Sequence, residues 1–241
     1  MFYRLRLSGA AVFFSLFTYT MAAPVAAAPA QELADKLGSL SRVAPDLDLS
    51  VLGNALAAMQ CAERSGEPRS ERLAVIDFSL PSTERRLWIF DLRQKALLLN
   101  DLVAHGQGSG GNFAEHFSNI EGSYQSSIGL FRTAESYQGR HGYSLRMDGL
   151  EPGVNDLARQ RAIVIHAADY VDPEWITRQG RIGRSQGCPA VRPEIVDHVV
   201  DSLKGGQYLF AWYPDQQWLQ TSSLLNCPYG DYREALALNT R

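Results

Sequence analysis

Apolar and polar positions change their spacing several times along the 241-residue chain. Residues 31–66 carry the helical period. Leu52, Ala55, Leu56 and Met59 fall at i, i+3, i+4 and i+7, with Ser50 placed to cap. From Leu73 that period is lost. Leu73–Phe78 and Arg86–Asp91 are short apolar runs rich in β-formers, and Pro81–Glu84 reads as the turn between them. Lys95–Ala104 reads as a further strand, and Ala162–Ile165 as a fourth. Residues 105–160, between those two, are rich in Gly, Ser and Asn, with short apolar pieces such as Ile128–Phe131. Helical spacing returns over Pro193–Leu203, where Ile195, Val196, Val199, Val200 and Leu203 share a side and Gly205-Gly206 is the stop. Gln207–Tyr213 is a closing strand. The pattern predicts a mostly β domain with a few peripheral helices.

The first thirty residues read differently. Arg4 and Arg6 precede an uncharged apolar run, Ala10–Met21, and a small-residue stretch ends Ala28-Pro29-Ala30. This is the three-part pattern of a secretory signal peptide with an A-x-A cleavage site. The apolar run is short for a membrane span, and no cysteine near the site suggests a lipid anchor. The chain is therefore expected to be exported, periplasmic or secreted, with no membrane anchor after cleavage. The expected division is a signal peptide over 1–30, a helical extension over 31–70, the mostly β domain over 71–213 and a tail over 214–241 that packs on it.

Composition adds exclusions. Hydrophobic residues make up 45% and charged residues 20%, ordinary globular usage. The formal net charge is −3, so no global basic field recruits nucleic acid. Three cysteines are too few for a disulfide-built scaffold.

Candidate chemistry concentrates in Gly180–Val191. There Cys188 stands between Gly187, which tolerates unusual dihedrals, and Pro189, which lacks an amide donor. An oxyanion hole here has the amides of Gly187 and Cys188 available. A thiolate near neutral pH needs a base or a positive field. Arg181 and Arg184 are candidates for the field. His166, at the end of the Ala162–Ile165 run, is the candidate base and the only histidine near the motif. The alternative for each is a buried inert cysteine and a structural histidine held by Asp169.

His166-Ala-Ala-Asp169-Tyr170 followed by Gly183-Arg-Ser185-Gln-Gly187-Cys188-Pro189 resembles the murein L,D-transpeptidase catalytic domain family. The resemblance runs from about Leu73 to Phe210 and takes in His105–Gly110, Phe117–Asn119, Ser126–Gly129 and Gly153–Asp156. It implies a β-rich fold and peptidoglycan stem peptides as substrate. Cys188 would be the nucleophile and His166 the general base. Ser185, Gly187, Arg184, His105 and Asp169 are the implied oxyanion and substrate-binding positions, with Arg184 against a stem carboxylate. No cofactor is implied. Gln186 departs from the family pattern, which has a second histidine there, and Pro189-Ala190 replaces the usual asparagine or arginine after the cysteine.

Three other readings stand beside this one. With water as acceptor the same site is an L,D-carboxypeptidase. His105, His141 and His166 with Asp148 or Asp169 supply the inventory of a zinc peptidase, without tight metal spacing. A non-catalytic wall-binding domain is the third. Cys61 and Cys227 either form a disulfide, as an oxidising compartment permits, or remain separate buried thiols.

Overall fold

The computed structural model describes residues 29–227, together with Met1 and Ala237. The expected signal segment, but for its ends, and the tail beyond Cys227 lie outside the described residues. Two helices come first, α1 (Pro29–Val43) and α2 (Leu49–Arg64). The cap of α2 is Asp48 rather than Ser50, because the Asp48 carboxylate accepts the amides of Ser50 and Val51. Eight strands follow: β1 (Arg72–Asp77), β2 (Leu87–Asp91), β3 (Ala96–Asp101), β4 (Gly129–Gly139), β5 (Gly142–Gly149), β6 (Val164–Ala167), β7 (Ala190–Val191) and β8 (Tyr208–Trp212). Three further helices decorate them: α3 (Pro173–Gln179), α4 (Val196–Leu203) and α5 (Gln216–Thr221). A 3₁₀ turn, Pro193–Ile195, leads into α4, so the expected helix starts three residues late.

The sheet order is β3-β2-β1-β8-β4-β5-β6-β7. The closing strand β8 is central, parallel to β1 and antiparallel to β4. All five residues of β2 and of β8 are buried. Strands covered on both faces read as continuous apolar runs rather than alternating ones, which is why their sequences stand out. Alternate residues serve two cores. Leu73, Val75, Phe90, Leu130 and Phe210 meet α1 and α2. Ala74, Ile76, Ile89, Phe131 and Leu209 meet the α4 residues Val196, Val199 and Leu203. The N-terminal helices are thus continuous with the core.

The sheet curls until its two edges meet. Just past β3, the Ala104 amide donates to the Ala190 carbonyl of β7 at 2.9 Å. Beside it, Arg192 forms a two-armed ion pair with Asp101, at 2.9 and 2.6 Å. The segment after β3 therefore lies along the loop that carries Cys188.

A buried carboxylate docks the C-terminal helix. Glu151 accepts the Leu130 amide and the Trp218 indole N–H, each at 2.9 Å, and the Ser222 hydroxyl at 2.5 Å. Asn155 donates to the Ile128 and Leu130 carbonyls. Gly129, at φ +101°, leaves the room this requires, since a Cβ there would stand 2.4 Å from Glu151 Oε1. The Gly153–Asp156 motif is thus used for architecture. Cys61 of α2 and Cys227 are bridged, with Cα atoms 6.1 Å apart.

Candidate active site

The parallel pairing of β6 with β7 sets the register, His166 opposite Ala190 and Ala167 opposite Val191. Cys188 lies two residues before Ala190 and comes alongside Val164, two residues before His166. The Val164 amide points at Cys188 Sγ at 3.5 Å, and the sulfur lies 3.7 Å from the Ala162 carbonyl. Ala162 is held at φ +55°, a left-handed conformation of the kind retained near functional groups. His166 is the second-last residue of β6, inside the strand rather than just past it.

Ser185 shapes the loop. Its hydroxyl donates to the Cys188 carbonyl at 2.6 Å and accepts the Gly187 amide at 3.0 Å. Its main chain pairs with the neighbouring segment, amide to the His105 carbonyl and carbonyl from the Gln107 amide. Gly187, at φ +121°, passes so near Gln125 that a Cβ would stand 2.8 Å from that residue's carbonyl oxygen. Ser126 ties the layers together, donating to the Gly187 carbonyl and accepting the Gly106 amide, both at 3.0 Å. The Gly187 amide is therefore committed to Ser185. Of the two amides considered for an oxyanion hole, only that of Cys188 has no partner among the described residues.

Electrostatics favours neutral partners at rest. Burial pushes the Cys188 thiol up, against the Val164 amide and the Arg161 guanidinium, which pull it down. Burial pulls His166 down, and the nearby His141 adds to this, while the hydrogen bond to Ala167 opposes it. That bond, 2.8 Å from Nδ1 to the Ala167 carbonyl, makes Nδ1 the donor and leaves the Nε2 lone pair open. Sulfur and imidazole share no hydrogen bond in this arrangement. Such contacts commonly tighten only with substrate in place.

The other expected positions divide. His105 is fully buried. Its Nδ1 accepts from Arg86 at 2.7 Å, and burial with that neighbouring charge pushes it down to about 3. It cannot touch a substrate, and its contribution is the main-chain bond to Ser185. Arg184 is half-buried and donates through one nitrogen to the Gly110 carbonyl at 2.6 Å and the Gln107 carbonyl at 3.4 Å, tying down the adjacent loop. Asp169 is exposed and makes no hydrogen bond or ion pair among the described residues, so it does not hold His166. The zinc reading fails on geometry. His105 is sequestered against Arg86, and no group of three or more His, Cys, Asp or Glu side chains among the described residues is arranged to hold a metal.

The cation beside the sulfur is Arg161, not Arg181 or Arg184. It is anchored by bonds to the Ser118 carbonyl, the Ser127 hydroxyl, the Ser123 hydroxyl and the Gln125 carbonyl. Tyr170 also stands within electrostatic reach of Cys188, and burial with that neighbour pushes its phenol up to about 12. A second histidine does reach the motif: the His141 ring lies 4.6 Å from that of His166, centre to centre.

The family described as the L,D-transpeptidase catalytic domain matches residues 43–212, well over half of the chain. The chain belongs to that family. The matched stretch takes in α2 as well as the whole sheet. No curated protein matches the chain. Among solved structures, an L,D-transpeptidase from Mycobacterium smegmatis is 13% identical with a TM-score of 0.38, covering 60% of this chain and 59% of that one. The helical cell shape determining protein Pgp2 from Campylobacter jejuni is 12% identical with a TM-score of 0.40, covering 64% and 55%. An L,D-transpeptidase from Stackebrandtia nassauensis is 10% identical with a TM-score of 0.37, covering 76% and 90%. The chain thus spans about three-fifths of the first of these proteins and little over half of the second. Within this L,D-transpeptidase-family domain, Arg161, Tyr170 and His141 were not singled out as neighbours of the Cys188 motif by sequence reasoning. Tyr170 ends the quoted His-Ala-Ala-Asp-Tyr motif, and Arg161 directly precedes a strong apolar run. His141 had no local signal, because its placement depends on a hairpin.

Proposed function

We propose that the protein transfers acyl groups between peptidoglycan stem peptides through a thioester on Cys188. The supporting observation is a half-buried thiol on a glycine-shaped loop, one strand away from a histidine whose Nε2 lone pair is kept open by the Nδ1–Ala167 bond. The Cys188 S–H proton passes to His166 Nε2 as sulfur attacks the carbonyl carbon of the third stem residue. The tetrahedral oxyanion is met by the Cys188 amide. The bond to the terminal D-alanine then breaks, and His166 returns the proton to the leaving amine. In the second half, an amine on a neighbouring stem attacks the thioester, loses its proton to His166, and leaves a new amide and a free thiol. With water as acceptor the product is a shortened stem with a carboxylate. Because both partners are neutral at rest, proton transfer accompanies attack rather than preceding it. The expected setting is the cell envelope, and no described helix is long and apolar enough to cross a membrane.

Turnover of a tetrapeptide stem by wild type and Cys188→Ala, with and without a chelator, tests this. Turnover should vanish in the variant and ignore the chelator. Persistent turnover in Cys188→Ala, or chelator inhibition that added metal restores, contradicts the reading.

A further inference from the structure

The β4–β5 hairpin reaches the site through its turn. Gly139 and Gly142 pair across it, leaving Arg140 and His141 at the tip. The His141 ring lies over that of His166, centroids 4.6 Å apart and planes 31° from parallel. His166 is only 5% exposed, whereas His141 is exposed. The outer ring thus forms part of the cover over the inner one. Arg140, its neighbour in the turn, donates toward His141 Nε2 at 3.4 Å.

We propose that His141 is a positioning residue for the His166 imidazole, holding the ring's plane from a separate element. One hydrogen bond at Nδ1 leaves a ring free to tilt about that contact. A second aromatic face in offset contact removes much of that freedom. With Nδ1 on the Ala167 carbonyl and one face against His141, the direction of Nε2 is set. The same neighbour has an electrostatic consequence, since a positive charge on His166 would form beside His141 and near the Arg140 guanidinium. The groups that meet the His166 ring are the Ala167 carbonyl on its own strand and His141 from the hairpin turn, with Arg140 bonded to the latter. The β5 phenol of Tyr143 is engaged with Asp201 and Lys204. Burial and the neighbouring His141 both disfavour a positive charge on His166, so Nε2 stays free to accept a proton.

The turnover arm of the test rests on the reading of His166 as general base; the titration arm does not. Wild type, His141→Phe and His141→Ala are compared, with His166→Gln to assign the resonance. Proton NMR follows the His166 titration, and hydrolysis or transfer of a tetrapeptide stem is followed against pH. His141 sits at an exposed turn, so neither substitution empties the core. In His141→Ala the His166 midpoint should rise, and turnover below neutral pH should fall about tenfold, short of the roughly 10²–10⁴-fold attached to a general base itself. In His141→Phe, which keeps an aromatic face without the imidazole nitrogens, the midpoint should also rise, while more turnover survives at high pH. A His166 midpoint unmoved in both variants overturns the proposal whatever the turnover does. So does undiminished turnover in His141→Ala beside an active wild type. An inactive wild type with a shifted midpoint instead overturns the acyl-transfer reading and leaves the His141 contact supported.

Discussion

At Cys188 two influences oppose each other. Removal from water disfavours the thiolate, while the Val164 amide and Arg161 favour it, and the first prevails. A raised thiol means that the thiolate, the reactive form toward alkylating agents, is scarce at neutral pH. The iodoacetamide reaction rate of the native protein should therefore climb steadily through pH 7 to 9, with no plateau near neutrality. A plateau there would indicate a resting thiolate–imidazolium pair and contradict the neutral-pair account. The same residues show how much of the candidate site was legible. Cys188, Ser185 and His166 announce themselves, because a thiol between Gly and Pro and a histidine closing an apolar run are unusual. His105 misled for a physical reason: its glycine-rich surroundings resemble an open loop, but those glycines permit close packing. A Cβ on Gly106 would stand 2.8 Å from the Gly187 Cα.

At the scale of the element, the loop from Arg184 to Pro189 keeps its form through Ser185. Removing that hydroxyl frees the Gly187 amide and the Cys188 carbonyl together. Ser185→Ala should cost about 1–3 kcal/mol of stability, the usual range for buried groups left unpaired. It should cost up to about 10²-fold in turnover if the sulfur shifts by an ångström. Unchanged kinetics with a lowered Tm would assign Ser185 to stability alone. Elements varied in legibility for a related reason. The runs at β1, β2 and β8 are buried on both faces and declare themselves. The β4–β5 hairpin was not foreseen, because over Thr133–Arg146 it is half-exposed and mostly polar, and its register shifts between Thr133 and Ser136. With it went the means of placing His141. Helix α3 has seven residues, none of them buried, so no apolar stripe could mark it.

In the whole molecule the curled sheet sets Cys188 at the seam where its edges meet, and a bridge fastens α2 to the segment after α5 at the opposite core. The Cys61–Cys227 bridge closes a sequence separation of 166 residues. In the chain-entropy model a loop of that length contributes on the order of 5 kcal/mol. Thiol counting on unfolded, unreduced protein should find one reactive thiol; three would refute the bridge. The sequence left that pairing open because distance between two peripheral segments depends on the complete fold. The central claim is that Cys188 carries the acyl group. It is tested most directly by the intact mass of the protein after incubation with a tetrapeptide stem or a carbapenem, followed by peptide mapping. The account predicts a covalent adduct on the peptide containing Cys188, absent from Cys188→Ala. An adduct on another residue, or stem turnover that proceeds normally when Cys188 is blocked, would contradict it.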